Sequence, residues 1–346
     1  MTGRRLAALV VTYNRADQIA RTVTALLASD IDHLLVVDNA SDDGSTDFLT
    51  GIKDPRLNLL RLTENHGGAG GFEAGLRHIT ARFDPDWCVV MDDDARPAPD
   101  CIVRFRAELS SHTAAGWEAL AAGVFYPDGA ICEMNRPSRN PFWDLRSFVR
   151  TLLGGGRAGF HLGDTAYDSS DPILVHNASF VGLFLSRKAI ARAGYPEGGL
   201  FIYGDDLIYT LALTKAGGKI GFLPWLRFEH DCSTFHQKQS QPAVSGAVLA
   251  EKKAGPRLHH PLWKAYYAHR NGLFAYRLAA GSLWFWPVLL VVVPKWTLKA
   301  RAYGPDGGIF LRLLALALRD ALMGRRNRPH AEIVARAANQ GRGAQP

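Results

Sequence analysis

An apolar run over residues 87–91, Trp-Cys-Val-Val-Met, ends in three consecutive aspartates, Asp92-Asp93-Asp94. No other feature of the chain constrains its fold as much. A short continuous apolar run bounded by turn residues reads as a strand buried on both faces, as in a parallel sheet covered by helices. Its carboxylates then emerge at the carboxyl end of the strand, where open α/β sheets bind ligands. Three adjacent carboxylates repel one another in a crevice unless a cation neutralises them, and hard oxygen donors suit Mg2+ or Mn2+. Side chains two apart leave a strand on the same face, so Asp92 and Asp94 point together. The competing reading of the same three residues is a solvated acidic turn capping the next helix.

The first hundred residues alternate strand and helix patterns. Strands are expected over residues 8–13, 33–39, 57–62 and 87–93. Helices are expected over 15–28, with Ile19, Val23, Leu26 and Leu27 on one face, and over 73–82. This alternation predicts βαβ units, hence an α/β fold with a mostly parallel sheet flanked by helices. Further strands are expected at 118–125, 178–186 and 219–230, and helices at 187–193 and 207–216. Residues 126–171 are poorly periodic and rich in Gly and Pro, so they read as long loops of the kind that act as lids or binding loops.

The chain of 346 residues is enough for one large domain or two smaller ones. Its net charge of +7 is unevenly placed: from Glu251 onward there are 16 Lys+Arg against 4 Asp+Glu, so the first 250 residues are net acidic. Such polarity points to a partner for the basic segment, an anionic membrane surface or nucleic acid. Nucleic-acid binding predicts basic residues interleaved with stacking aromatics along a groove. Here the aromatics are bunched with Val and Leu around Trp284, Trp286 and Trp296, which favours lipid and argues for no nucleic acid. The run over 283–294 is too short and too broken by Pro287 and Pro294 to read as a span; with Lys295, Lys299 and Arg301 following, it reads as an interfacial segment. A helix packed in a core is the alternative. The expected organisation is a catalytic domain over 1–250, a basic, aromatic-rich helical extension over 251–325, and a disordered polar tail over 326–346. The start, Met1-Thr2-Gly3-Arg4-Arg5, runs straight into a strand pattern without a secretory signal, and the four cysteines show no CxxC spacing. Both point to a cytoplasmic protein with reduced thiols.

Strand one ends in Thr12-Tyr13-Asn14 without a glycine, which excludes the Gly-rich turn that a dinucleotide-binding domain needs for pyrophosphate. Asp38, at the end of strand two, can accept from a base or ribose, or cap the Ser41 turn. The segment Asn65-His66-Gly67-Gly68-Ala69-Gly70-Gly71-Phe72 leads into a helix, and small residues there let backbone approach a ligand. Asp205-Asp206 precede a helix and offer a general base for a hydroxyl nucleophile, or simply favourable charge at a helix start. His230 ends an apolar stretch. Cys232 and His236 raise zinc, but two Cys/His pairs at finger spacing are absent.

Together, Val10-Val11-Thr12-Tyr13-Asn14-Arg15, Val36-Val37-Asp38-Asn39-Ala40-Ser41-Asp42-Asp43-Gly44-Ser45-Thr46 and Met91-Asp92-Asp93-Asp94 resemble the inverting family 2 glycosyltransferases of the GT-A fold. The resemblance covers roughly residues 5–235, the size of one α/β domain. The glycine segment and the triple Asp look most like the bacterial galactofuranosyltransferase branch, with rhamnosyltransferases close by. Tyr266-Tyr267 and Arg270-Asn271 also resemble a segment that follows the catalytic domain in that group. The resemblance implies that Thr12, Tyr13, Asp38, Asn65, Gly70, Asp92 and Asp93 bind a nucleotide-diphospho-sugar donor. It implies that Asp92, Asp94 and His230 hold Mn2+ or Mg2+, and that Asp206 is the catalytic base with Asp205 orienting the acceptor. One departure is Gly204, where galactofuranosyl enzymes tend to carry Trp. The implied activity is transfer of a sugar, galactofuranose from UDP-galactofuranose or else rhamnose from dTDP-rhamnose, onto a lipid-linked envelope glycan at the cytoplasmic face of the membrane. A non-catalytic membrane scaffold that has kept the fold is the reading from another class.

Overall fold

The computed structural model describes residues 4–111, 116–151, 153, 156–232 and 258–338. The chain forms two compact units, one of residues 1–198 and 205–232, the other of residues 199–204 and 233–346.

The first unit is a mixed α/β sheet with helices on both faces. It opens with β1 (Leu6–Thr12), α1 (Ala16–Leu27), β2 (His33–Asp38), α2 (Ser45–Gly51), β3 (Leu57–Arg61), α3 (Gly67–Arg82), β4 (Trp87–Asp92), β5 (Ala95–Pro97), α4 (Cys101–Ser110) and β6 (Ala119–Phe125). It continues with α5 (Leu145–Arg150), β7 (Ile173–Val175), β8 (Leu183–Ser186), α6 (Arg187–Ala193), α7 (Asp205–Lys215) and β9 (Ile220–His230). The strand order is β3-β2-β1-β4-β8-β6-β9-β5, with β7 pairing β9 off this path. The strands from β1 to β4 are parallel, as expected. The rest of the sheet is mixed: β6 runs parallel to β9, β8 runs antiparallel to both β4 and β6, and β5 and β7 run antiparallel to β9.

Every residue of β1 is buried, which is why its sequence is apolar without alternation. Leu6, Ala8 and Val10 face a core closed by Ile19, Val23 and Leu26 of α1 and Ile102 and Phe105 of α4. Ala7, Leu9 and Val11 face a second core closed by Phe72, Leu76 and Ile79 of α3 and Tyr209 and Leu213 of α7.

The glycine segment departs from expectation. Helix α3 begins at Gly67, six residues before the expected start, so most of the presumed loop is helical. The reason is packing. A Cβ on Gly71 would lie 2.4 Å from Val11 Cγ1, and one on Gly75 would lie 2.4 Å from Leu9 Cδ1 and 3.0 Å from Val37 Cγ2. At Gly71 and Gly75 the missing side chain lets the helix approach the sheet. Gly75→Val should therefore lower stability by about 1–3 kcal/mol, the usual cost of overpacking. Gly68→Ala, whose Cβ meets nothing within 4 Å, should be neutral or slightly stabilising. Denaturant midpoints measure both.

In the second unit, α8 (Trp263–Leu298) is followed by α9 (Gly307–Leu322) and α10 (His330–Ala338). Helix α8 is interrupted at Gly281, whose φ of 67° is non-helical, and Trp296 beyond the break packs edge-on against His269 before it, centroids 4.7 Å apart. Trp296 thus turns inward, whereas Leu283 is 80% and Leu290 77% exposed. The stretch Trp263–Leu322 contains a window long and apolar enough to cross a membrane, and only 11% of that window is buried. The region expected as a disordered tail includes α10, anchored by the buried Ile333 and by Arg328, which pairs with Asp320 and Glu332. Residues 339–346 lie outside the described residues.

Arg270 and Asn271 explain the segment 199–204. Arg270 is fully buried and donates to the carbonyls of Gly199 (2.9 Å), Leu200 (3.1 Å) and Arg326 (2.7 Å). The Asn271 amide donates to Leu200 (3.0 Å), Ile202 (2.9 Å) and Tyr203 (2.8 Å). Phe201, Tyr203 and Gly204 have φ of 65°, 69° and 80°, so two side chains sit in the left-handed region and need this clamp. At Gly204 that backbone favours glycine over any larger residue.

Candidate active site

The triple aspartate sits where β4 ends and a turn begins. Its three side chains take different partners. Asp93 is buried; it accepts from the Thr12 hydroxyl at 2.8 Å and pairs with Arg15 at 3.3 Å. Asp94 is held by Arg15 at 2.5 Å and by His230 Nε2 at 3.1 Å. Asp92, Asp94 and His230 each place a ligand atom within 4.8 Å of the others. His230 reaches this point through sheet register: β9 pairs antiparallel with β5, and His230 lies opposite Ala95, the residue after Asp94. The backbone N–H of Asp231 donates to the Asp94 carbonyl at 2.8 Å and closes the corner.

The electrostatics are those of a crowded acidic cleft. Burial pushes Asp92 up to about 7, helped by the Asp94 charge and opposed by His230. Burial also lifts Asp93 to about 6. Burial works against the Asp94 carboxylate too, but His230 and then Arg15 hold it below the usual carboxylate range. Burial disfavours the His230 cation, yet its bond to Asp94 and the surrounding negative charge raise it to about 10. Two carboxylates and an imidazole converging in this way fit a divalent cation that accepts oxygen and nitrogen donors.

Asp205 and Asp206 open α7. Burial raises Asp205 to about 8, with the Asp206 charge adding and that of Asp92 contributing, and burial raises Asp206 to about 6. Asp206 Oδ1 accepts from the Leu207 N–H at 2.6 Å. The charge of Asp206 is felt at Asp92, so the two acidic groups share one region.

The remaining expected residues lie at the carboxyl ends of neighbouring strands. Thr12 ends β1, its hydroxyl engaged by Asp93, and Tyr13 beyond it is exposed. Asp38, fully buried at the end of β2, accepts from the Ser41 N–H at 2.9 Å and the Thr46 hydroxyl at 2.5 Å, the Asx cap that its sequence context allowed. Asn65 accepts from the Gly67 N–H at 2.7 Å and so starts α3, while a Cβ on Gly70 would strike His66 at 2.4 Å. His236 lies outside the described residues.

Residues 7–128 match the family model described as Glycosyl transferase family 2. The chain is 30% identical over 246 residues to galactofuranosyltransferase GlfT1 of Mycolicibacterium smegmatis, a match spanning 70% of this chain and 75% of that protein. The chain belongs to glycosyl transferase family 2. It falls in the galactofuranosyltransferase-like branch, with 28% identity over 268 residues to GlfT1 of Mycobacterium tuberculosis, covering 76% and 79% of the two chains. The fold is GT-A. GalNAc-T7, solved with UDP, GalNAc and Mn2+, superposes with a TM-score of 0.52 at 11% identity over 96% of this chain and 56% of that one. Residues 1–349 of TarS from S. aureus give 0.52 at 13% identity over 96% and 88%.

The site of this family 2 glycosyltransferase includes residues that sequence reasoning did not assign. Arg15, seen only as part of a motif, is the counter-ion of Asp93 and Asp94. Asn135 was hidden in the aperiodic stretch; its Oδ1 lies 2.7 Å from His230 Nδ1, and its amide donates to Ser179 Oγ at 2.9 Å. Asn135 thus keeps a proton on Nδ1 and leaves Nε2 to face the carboxylates.

Proposed function

We propose that this glycosyltransferase moves galactofuranose from UDP-galactofuranose, with inversion, onto a lipid-linked envelope glycan. The convergence of Asp92, Asp94 and His230 beside the Asp205-Asp206 pair carries this reading. The 28–30% identity to GlfT1 supports galactofuranose over rhamnose. Thr12, Tyr13, Asp38, Asn65, Gly70, Asp92 and Asp93 line the nucleotide-sugar site. Asp92, Asp94 and His230 would hold Mn2+ or Mg2+, which when bound supplies positive charge to the leaving diphosphate. Asp206 takes the acceptor hydroxyl proton as the acceptor oxygen bonds to the anomeric carbon and the nucleoside diphosphate departs. Asp205, held protonated at neutral pH, serves as a neighbouring hydrogen-bond donor that orients the acceptor. Incubation with UDP-galactofuranose, dTDP-rhamnose and other nucleotide sugars, with Mn2+ or with chelator, tests the reading. Metal-dependent release of UDP from the galactofuranosyl donor alone is expected; preference for dTDP-rhamnose overturns the donor assignment.

The enzyme works as a cytoplasmic, peripheral protein on the inner face of the membrane. The exposed apolar side chains Leu283, Trp286, Leu290 and Val291, followed by Lys295, Lys299 and Arg301, support lipid contact. Each basic residue at an anionic surface contributes about 1 kcal/mol. Flotation should occur with phosphatidylglycerol liposomes, weaken with salt, and fall away on neutral vesicles. Equal binding to both vesicle types would remove the electrostatic part.

A further inference from the structure

The His230 ring has two working faces. Nε2 faces Asp94. Nδ1 faces sulfur: Cys132 Sγ lies 3.9 Å from it. Cys132, His230 and Cys232 are all buried, and each places a donor atom within 4.8 Å of the others. Asn135 Oδ1 touches the same group, 3.0 Å from Cys132 Sγ and 2.7 Å from His230 Nδ1. Two distant parts of the chain build this cluster. Cys132 and Asn135 sit at a short turn after β6, while His230 ends β9 and Cys232 follows two residues on.

We propose that Cys132, His230 and Cys232, with the Asn135 carbonyl oxygen beside them, form a second cation site that takes a thiophilic divalent ion of the zinc class.

The donor set decides the class of ion. Two sulfurs and an imidazole nitrogen are borderline-soft donors that suit zinc, whereas the carboxylate face suits Mn2+ or Mg2+. The spacing is compatible. Zinc bonds of about 2.3 Å to sulfur and 2.0–2.1 Å to nitrogen imply a tetrahedral sulfur–nitrogen separation of about 3.6 Å. The Cys132–His230 separation of 3.9 Å needs only a small inward shift. On binding, the thiol protons and the Nδ1 proton leave to solvent as the ion takes their place; when the carboxylate face also holds its metal, the Nε2 proton leaves too and the ring bridges the two ions as imidazolate. The other cysteines of the chain, Cys88 and Cys101, belong to the two sheet cores and have no place in this cluster. Because one imidazole serves both faces, the sulfur site sets the orientation of a ligand that the carboxylate site uses.

The test uses the full chain freed of metal by chelation and titrated with Co2+ as an optical probe. A thiolate-to-cobalt charge-transfer band in the near ultraviolet is expected at one equivalent, abolished by Zn2+ in competition. Cys132→Ser and Cys232→Ser should each lose the band, whereas Cys101→Ser should keep it. Asp94→Ala should also keep it, which separates this site from the carboxylate one. Wild-type protein that shows no sulfur band overturns the proposal without recourse to any variant. So does a band that survives both Cys132→Ser and Cys232→Ser. Mn2+ binding at the carboxylate face, followed separately by calorimetry, reports on the proposed catalytic metal, so that failure of either reading shows in its own signal.

Discussion

Replacing Asp206 by Asn should lower kcat by about 10²–10⁴, the usual contribution of a general base, while donor binding persists. Asparagine keeps the size of the side chain and can still accept from the Leu207 N–H, so the start of α7 should survive. What it cannot do is take a proton. The pH dependence sharpens the expectation. Burial raises Asp206 to about 6, so below that pH it is protonated and cannot act, and above it the carboxylate is available. The wild-type rate should therefore fall on the acid side through about 6, and the residual rate of the variant should lack that limb. Asp205 is raised further, to about 8, and stays protonated at neutral pH, which is why the role falls to its neighbour. Steady-state rates across pH with calorimetric donor affinity measure both parts. A variant that turns over normally would move the base to Asp205.

Asp94→Ala should weaken donor binding in the presence of Mn2+ by more than about 10²-fold, since loss of outer-shell partners alone costs 10–100-fold in metal affinity. Asp94 is the point at which the site converges: it binds His230 on one side and Arg15 on the other, and its backbone carbonyl accepts from Asp231. The backbone bond does not depend on the side chain, so the strand corner should hold. Calorimetry with and without Mn2+, alongside circular dichroism, separates lost affinity from lost fold. Unchanged donor affinity would remove the metal role from this residue.

The fold was legible where burial is symmetrical. Strands β1, β2 and β4 announce themselves because both faces are covered and nearly every residue must be apolar. Helix α4 leaves a readable trace next to the acidic turn, Ile102, Phe105 and Leu109 at helical spacing. The start of α3 is not legible because a run of glycines reads as loop, and only the neighbouring strand shows that Gly71 and Gly75 pack a helix against it. The antiparallel half of the sheet was not legible, since strand direction depends on pairing between segments far apart in sequence. The site divides along the same line. Asp92 and Asp94 follow from local alternation, and Asp205-Asp206 from an acidic pair at a helix start. His230 was reached through family resemblance alone, and Asn135 and Cys132 through neither, because turns without periodicity join them to it.

The placing of His230 by strand pairing also governs which lengths of chain this enzyme can tolerate. Between Ala122 and Gly123 the pairing of β6 with β9 skips from Leu223 to Arg227, and residues 224–226 take up the slack. After that skip, four residues run to His230 in strict alternation, and losing or gaining one would turn the imidazole to the opposite face. The described residues of 136–171, whose backbone is mostly turn and short helix, carry no such counting rule. Library design and tag insertion should accordingly treat the last four residues of β9 as fixed in length, and place variation in the turns between β6 and β7 that lie beyond Asn135.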